Sequence, residues 1–236
     1  MPSRASSSRK KTASPKREFT VDEIVENISN AILEHRLVPG TKLGEDRLAT
    51  IYGTNRPRIR EVLARLSHEQ VVELVPQRGA FVAKPTVDQA RDVFEARRTV
   101  EPGVLERLIR HVDDERLRRL HDHLAREEEA RRANDKHAVV RLSGEFHTLL
   151  AELAGNSLLA RTMKELSTLT CLTISLYDAP TATSCRVDEH RAIVDAIQAA
   201  DAPLARRLML QHLSHIEDSL DLQGESEEVD LESVLG

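Results

Sequence analysis

The chain has 236 residues, which is enough for two domains of modest size, and aromatic residues make up only 3% of it, so both cores must be aliphatic. No stretch approaches 18 apolar residues, which excludes a membrane-spanning helix, and the two cysteines, Cys171 and Cys185, form neither a metal motif nor a disulfide framework. The net charge of −5 is unevenly distributed: residues 1–84 hold 15 Lys/Arg against 10 Asp/Glu, and residues 85–236 hold 19 against 29. This asymmetry indicates that one end of the molecule contacts nucleic acid.

The first segment, residues 1–17, is rich in serine, lysine and arginine and predicts a disordered basic arm. It lacks the apolar stretch of a signal peptide, so we expect a cytoplasmic protein. Thr20 and Glu23 then have the spacing of a capping box. Apolar residues follow at helical period and predict an amphipathic helix, at Ile24, Ile28 and Ile32.

The segment from Glu45 to Lys84 predicts a winged helix-turn-helix within a domain spanning residues 18–84. Leu48, Ala49 and Ile51 supply the apolar side of a short helix, and Gly53 suits the tight turn after it. Asn55 is a candidate N-cap for a second helix with Pro57 in its first turn. The buried face of that helix is predicted at Ile59, Val62, Leu63 and Leu66. Residues 71–75 and 80–83, joined by a turn at residues 76–79, predict a hairpin.

Arginines occupy the other face of the second helix and the tip of the hairpin, at Arg56, Arg58, Arg60, Arg65 and Arg78. Guanidinium groups bind guanine edges and phosphates, and a helix N-terminus attracts phosphate. Four arginines on a helix are by themselves more typical of a solvated face. Their combination with a glycine turn and an arginine-tipped hairpin favours DNA binding.

Residues 53–63, Gly-Thr-Asn-Arg-Pro-Arg-Ile-Arg-Glu-Val-Leu, with the later Arg-Gly-Ala-Phe-Val at residues 78–82, resemble the DNA-binding domain of the GntR family of bacterial regulators. The resemblance covers residues 20–84 and implies that Arg56 and Arg60 contact operator DNA, while Gly79 lets the wing approach the minor groove. The family usually has Ser-Glu-Arg before Leu-Ala, whereas this chain has Gly-Glu-Asp-Arg at residues 44–47. An acid therefore stands where a DNA-contacting arginine is common, and Arg47 is an imperfect substitute. The predicted DNA-contacting residues are Arg47, Asn55, Arg56, Arg58, Arg60, Arg78 and Gly79.

From Pro85 onward the sequence predicts helices alone, so the overall fold class is mainly α, with an all-α bundle over residues 85–222. Thr86 and Gln89 form a second capping box. Apolar stripes then recur at helical period, among them Val93, Ala96, Val100, Val104 and Leu108, and Val139, Leu142, Phe146, Leu149 and Leu153. Residues 223–236 predict an acidic, frayed tail.

Three histidines lie on these predicted helices, at His147, His190 and His212. Histidine is the commonest metal ligand, and a bundle can direct such side chains into one cavity. With ten histidines in the chain, spacing alone favours polar core residues over a metal site.

The segments around these histidines resemble the all-helical FCD-type effector domain of the FadR subfamily, over residues 86–221. The resemblance implies a divalent metal, zinc or nickel, held by His147, His190 and His212. It also implies an aspartate one turn before His147, where this chain has Ser143. Three imidazoles with an open position still suffice for zinc or nickel, and Glu145 lies on a different face of its helix. Hydrogen-bonded core histidines remain the alternative.

Arg97 and Arg98 are candidates for binding a carboxylate effector, since an arginine fork matches a carboxylate. The resemblance implies that Arg97, four residues before Glu101, faces the pocket, and we assign Arg97 and Asn156 to effector binding. An internal Arg97–Glu101 pair is an equally good interpretation of the spacing. Asn156 is also a candidate N-cap.

These features predict a repressor that binds double-stranded operator DNA as a homodimer, contacts no membrane, and is released by a small organic acid. One alternative is a metal-dependent hydrolase that uses the three histidines to activate water. Another is an architectural DNA-binding protein with little sequence preference, which the acidic second domain argues against.

Overall fold

A computed structural model of the chain describes residues 19–177 and 187–222. Its architecture is mainly α, with an N-terminal winged helix-turn-helix and a C-terminal helical bundle, as predicted. The predicted basic arm, the acidic tail and Cys185 lie outside the described residues.

The N-terminal part contains three helices and a three-stranded antiparallel sheet of order β1-β3-β2. Its elements are α1 (Val21–Leu33), β1 (Lys42–Leu43), α2 (Glu45–Tyr52), α3 (Arg56–His68), β2 (Val72–Val75) and β3 (Gly79–Val82). The predicted hairpin is β2–β3, whereas the two-residue β1, which pairs with the hairpin through Lys42 and Phe81, was not predicted. The sheet and the buried faces of the three helices enclose one aliphatic core.

The helix-turn-helix contains the two helix caps that the sequence predicts. Gly53 ends α2 in a left-handed conformation with φ of +62°, which a side chain would disfavour. The Oδ1 atom of Asn55 accepts the backbone N–H of Arg58 at 3.0 Å and so caps α3. α3 therefore begins at the arginine-bearing residues.

Two details of this domain differ from the prediction. Ile51 is 62% exposed and does not join the core, since the buried side of the short α2 is formed by Leu48. Arg65 lies on a different side of α3 from Arg56 and Arg60, and it donates to Asp22 of α1 at 2.6 Å.

Six helices form the second part of the chain within the described residues. They are α4 (Val87–Arg110), α5 (Asp114–Arg132), α6 (Lys136–Leu153), α7 (Ser157–Tyr177), α8 (Val187–Gln198) and α9 (Ala202–Asp218). Their aliphatic stripes meet in a core around Leu108, Phe146 and Met209. The buried side of α4 also contains two charged residues, Arg97 and Glu101.

α7 packs against both parts of the chain. Leu172 of α7 belongs to the core of the winged domain, and Leu169 packs against that core. The ring Nε2 of His35, just after α1, lies 3.1 Å from the carbonyl oxygen of Cys171 and donates to it. Arg141 of α6 also donates to Glu34 at 2.9 Å. These contacts fix the winged domain on the bundle.

None of the helices within residues 19–177 and 187–222 combines the length and the hydropathy that crossing a membrane requires.

The two isoleucines of the helix-turn-helix offer a matched stability test. Ile59 is fully buried in α3, so Ile59→Ala should destabilise the protein by about 2–5 kcal/mol through lost burial and a residual cavity. Ile51→Ala at the exposed position should change stability by about 0.5 kcal/mol or less. Equilibrium urea unfolding of the full chain measures both. Equal losses in the two variants would contradict the assignment of these faces.

Candidate metal centre and DNA-binding surface

Three helices of the bundle bring the predicted histidines together. His147 lies on α6, His190 in the first turn of α8 and His212 on α9, and each side chain is at most 3% exposed. The Nε2 atom of His212 lies 3.3 Å from the Nε2 atom of His190 and 3.3 Å from that of His147. The three rings therefore face one point from three directions, and Phe146 stacks on the His190 ring at 4.1 Å.

Each of the three rings is held from behind by a carboxylate. The Nδ1 atom of His147 is 2.7 Å from Glu101 and that of His212 is 2.7 Å from Glu189. The Nδ1 atom of His190 is 3.0 Å from Glu127. Because an ionised carboxylate can only accept, each Nδ1 donates its proton to its carboxylate, and in the matching neutral tautomer the Nε2 lone pair is directed at the common point.

Burial keeps two of these rings neutral. It lowers the pKa of His147 to about 3 and that of His212 to about 4, and the Arg97 guanidinium acts in the same direction on both. Burial would raise the pKa of Glu101, but Arg97 and His147 outweigh it and lower that pKa to about 2. The arrangement is thus a cluster of three imidazoles, two of them kept neutral by burial, backed by carboxylates.

The donor set fits a divalent metal. Nitrogen ligands about 2.0–2.1 Å from a tetrahedral zinc ion lie roughly 3.3 Å from one another, which matches two of the three Nε2 separations, and all three ligand atoms lie within 4.8 Å of one another. Lone pairs converging without a cation would repel one another, and a hydrogen bond from the other ring nitrogen to a carboxylate is the usual support of a metal-binding histidine. These residues form a three-histidine cluster with the donor atoms to hold a divalent metal ion.

Ser143 occupies the position one turn before His147 on α6 and is half-buried. Glu145 does not replace the expected aspartate, since its carboxylate pairs with Arg141 at 2.6 Å. The described residues that can jointly ligate a metal are therefore the three histidines alone.

The structure contains the internal Arg97–Glu101 pair, while the assignment of Arg97 to effector binding stays a prediction. Its Nε donates to Glu101 at 2.7 Å, and its Nη1 donates to Thr170 of α7 at 3.2 Å. The Nη2 atom is buried without a hydrogen-bond partner. Arg98 is directed elsewhere, into an ion pair with Glu217. A buried guanidinium with an unused Nη2 group beside the histidines is a candidate site for an anion.

Asn156 forms the predicted N-cap of α7. Its Oδ1 accepts the backbone N–H groups of Leu158 at 3.0 Å and Leu159 at 3.2 Å, so the side chain caps α7. Its assignment to effector binding stays a prediction.

Sequence reasoning missed the carboxylates behind His190 and His212. Glu127 lies on α5 and also contacts His123, and its pKa is lowered because these two histidines outweigh the effect of burial. The sequence does indicate that Glu127 is buried, because it continues the apolar stripe of Leu120 and Leu124 on α5 at helical spacing. A charged residue on an apolar stripe indicates a buried partner.

The arginines at the start of α3 lie on the surface of the winged domain. Arg56 and Arg60 are exposed and are hydrogen-bonded to Glu45 of α2. Arg78 is exposed at the tip of the β2–β3 wing, where its guanidinium lies 5.6 Å from the centre of the Phe81 ring. Gly79 has φ of +103°, a conformation that favours glycine. The remaining predicted contacts lie nearby in sequence, with Arg47 exposed on α2, Asn55 exposed at the cap of α3 and Arg58 half-buried.

Comparison with known proteins matches both parts of the chain. Residues 20–82 match the model of the gntR family of bacterial regulatory proteins, and residues 92–215 match the FCD domain. An uncharacterized HTH-type transcriptional regulator in an unstable DNA locus of Streptomyces ambofaciens is 30% identical over 84% of this chain and 84% of its own length. The HTH-type transcriptional repressor RspR of Escherichia coli is 25% identical over 85% of this chain and 89% of its own.

A solved structure, McbR/YncC of E. coli, has the same fold, with a TM-score of 0.76, 17% identity, and coverage of 86% of this chain and 97% of the other. The sequence matches extend over both the winged helix-turn-helix and the helical bundle, each of which the structure contains. The chain therefore belongs to the GntR family of bacterial regulatory proteins and is a transcription regulator with a C-terminal FCD domain.

Proposed function

We propose that this regulator is a homodimeric repressor of the FadR subfamily that binds operator DNA and releases it when a small carboxylate binds in the bundle. The observation that carries the proposal is the pairing of three converging Nε2 atoms with the unused Nη2 of Arg97 in one buried region. Repression agrees with the name of the E. coli relative RspR, which is a transcriptional repressor.

His147, His190 and His212 would hold the metal, with zinc or nickel the best fit to three imidazoles. When bound there, such a metal supplies an electrophilic position for an anionic oxygen. Glu101, Glu127 and Glu189 keep the Nδ1 atoms protonated and so keep the Nε2 atoms available. Because Ser143 is a weaker ligand than aspartate, occupancy should be partial in the absence of the effector.

Arg97 would bind the effector carboxylate. Glu101 and Thr170 fix the orientation of the guanidinium, so little conformational entropy of this side chain would be lost on ligand binding. An unpaired N–H group in a buried site costs free energy, and a carboxylate oxygen that accepts it would recover that cost. A ligand with a carboxylate and a second oxygen could contact Arg97 and the metal together.

α7 would carry the signal to the DNA-binding domain. Thr170 accepts from Arg97, and the next residue, Cys171, accepts from His35 of the winged domain through its carbonyl. Leu172, one residue further, lies in the winged core. A displacement of α7 caused by the ligand would therefore change the position of the winged domain and shift the population away from the DNA-binding arrangement.

On DNA, the N-terminal turns of α3 would enter the major groove, with Arg56, Arg58 and Arg60 against base edges and phosphates. The wing, with Arg78 and Gly79, would approach the neighbouring groove, and Arg47 and Asn55 would contact the backbone. A homodimer would place two such helices on half-sites about one helical turn apart. The hydrolase alternative receives no support from the relatives, which are named as transcription regulators.

Replacing Arg60 tests the DNA surface. Arg60→Ala should weaken operator binding by more than about 1 kcal/mol and relax base preference, because a guanidinium fork at a helix start discriminates between bases. Arg65→Ala is the matched control, since Arg65 lies on the same helix but pairs with Asp22. Footprint titrations at one fixed salt concentration measure both. Equal affinities for the two variants would refute the assignment of Arg60.

The metal proposal predicts that purified protein retains substoichiometric zinc or nickel and that Ser143→Asp tightens retention by adding an anionic ligand. Removing all three histidines at once would leave the buried carboxylates of Glu101 and Glu127 without their histidine donors. His212→Gln is the better loss-of-metal variant, because the glutamine amide can still donate to Glu189. His121→Ala, at an exposed histidine paired with Gln198, is the control.

Elemental analysis and a chelator titration on these proteins give the answer. We expect metal retention to rank Ser143→Asp first, the wild type and His121→Ala next, and His212→Gln last. Wild-type protein without metal, together with no gain in Ser143→Asp, would identify the histidines as a polar core.

Arg97→Lys tests the effector site. Lysine keeps the positive charge beside Glu101 but loses the fork, so the thermal stabilisation that the zinc-loaded wild type gains from acetate, lactate, succinate or citrate should fall by half or more. Arg98→Lys, at the neighbouring arginine paired with Glu217, should keep the full shift. Undiminished stabilisation of Arg97→Lys by the best acid of this set would remove Arg97 from the site.

A further inference from the structure

The acidic start of α2 makes a specific contact with the arginines of α3. The Glu45 carboxylate accepts from the Nε of Arg60 at 2.9 Å and from the Nε of Arg56 at 3.4 Å. Asp46 adds a second carboxylate oxygen 3.2 Å from the Nε of Arg56. One carboxylate thus bridges two arginines that are one helical turn apart on the candidate recognition helix.

The atoms used in these contacts matter for DNA binding. A carboxylate that accepts from Nε occupies the side of the guanidinium nearest the aliphatic stem. The edge formed by the two terminal Nη groups is directed away from that carboxylate, and this edge can form two parallel bonds to a guanine or a phosphate. Glu45 therefore holds Arg56 and Arg60 without using the groups that would read a base.

The burial of the three side chains agrees with this role. Glu45 is 30% exposed at its side chain, whereas Arg60 is 63% exposed and Arg56 is 55% exposed. The carboxylate is thus the more enclosed partner and the guanidinium groups extend further into solvent. Two guanidinium groups at i and i+4 would otherwise repel each other and separate, and a carboxylate between them offsets that repulsion.

We propose that Glu45 is a positioning residue for operator discrimination, a proposal that rests on α3 being the recognition helix. By fixing Arg56 and Arg60, Glu45 lowers the entropy lost when both engage base edges. Its negative charge at the DNA-facing surface also opposes attraction to phosphates, which is the sequence-independent part of DNA binding. Both effects increase the ratio of operator affinity to non-specific affinity.

Two other roles would give different results. If Glu45 only competed with DNA for the arginines, its removal would tighten operator binding. If it only stabilised the start of α2, its removal would weaken binding to every sequence equally and lower the unfolding midpoint. The ratio of the two affinities separates positioning from both roles.

The experiment uses the full chain and a duplex that the wild-type protein selects from a random-sequence pool, with a scrambled duplex of equal length. Glu45→Gln, which is nearly isosteric and uncharged, should reduce the ratio of operator to scrambled affinity by about tenfold. The loss should come from weaker operator binding, while the scrambled duplex binds equally well or more tightly. Asp22→Asn is the matched control, because it removes one negative charge and an arginine contact at the other end of α3, and it should leave the ratio unchanged.

A second measurement shows whether Glu45 acts through the arginines. In an Arg60→Ala background, Glu45→Gln should reduce the ratio by less than it does in the wild type, since one of the two groups it positions is absent. An unchanged or higher ratio in Glu45→Gln would overturn the proposal. So would an equal loss on both duplexes with a lower unfolding midpoint. A wild-type protein that enriches no sequence from the pool would instead refute the assignment of α3 itself, before any variant is made.

Discussion

The Glu101 carboxylate joins the two parts of the candidate effector site. One of its oxygens accepts from the Nε of Arg97 at 2.7 Å, and the other lies 2.7 Å from the Nδ1 of His147. A buried carboxylate without both partners would carry a desolvation penalty of several kcal/mol, and so would a buried guanidinium without the carboxylate. The carboxylate and the guanidinium are therefore buried as a pair, and the neutral His147 ring donates to the same carboxylate. His147, which faces the other two histidines, and Arg97, which has an unpaired Nη2, are thus joined through Glu101 in one electrostatic unit.

That unit is connected to the DNA-binding domain by a short segment of α7. Thr170, Cys171 and Leu172 contact, in order, the Arg97 guanidinium, the His35 ring and the winged core. Consecutive residues of a helix are about 100° apart, so three neighbours can contact three different groups only where the helix is surrounded. A Cβ added at Gly144 of α6 would lie 3.1 Å from the Cys171 sulfur, which shows how closely α6 and α7 approach at this level. Close packing of this kind transmits small displacements as rigid-body motion.

The sequence predicted the features that depend on local chemistry. The caps at Thr20, Asn55 and Thr86, the left-handed Gly53 and the wing all follow from a few adjacent residues, and the structure contains each of them. The face that a short helix buries was less predictable, because the eight residues of α2 make only two turns and Ile51 lies on the solvent side. The partner of Arg65 depends on the packing of α1 against α3. The spacing of residues within α3 carries no information about that packing.

Contacts between helices were equally unpredictable at the site in the bundle. The three histidines were identified from the sequence with the help of a family resemblance, but spacing could not show which carboxylates support them. Glu127 is 63 residues from His190 in the chain, and Glu101 is 46 residues from His147. Such pairs exist only once the helices are packed. Asn156 was predicted to serve two roles, and the structure shows the cap, since the backbone N–H groups at the start of α7 need an acceptor.

Both domains contain the same arrangement of a carboxylate and an arginine. Glu101 binds the Nε of Arg97 and Glu45 binds the Nε of Arg60, so in each case a carboxylate fixes the guanidinium from the stem side. The two pairs differ in burial: Arg97 and Glu101 are 2% and 3% exposed at their side chains, whereas Arg60 is 63% exposed. A buried pair in a medium of low dielectric constant holds its geometry more strongly than an exposed pair, which contributes only about 0–1 kcal/mol. The Arg97 pair is therefore the more rigid of the two, whereas the Arg60 pair orients its guanidinium while leaving it accessible from solvent.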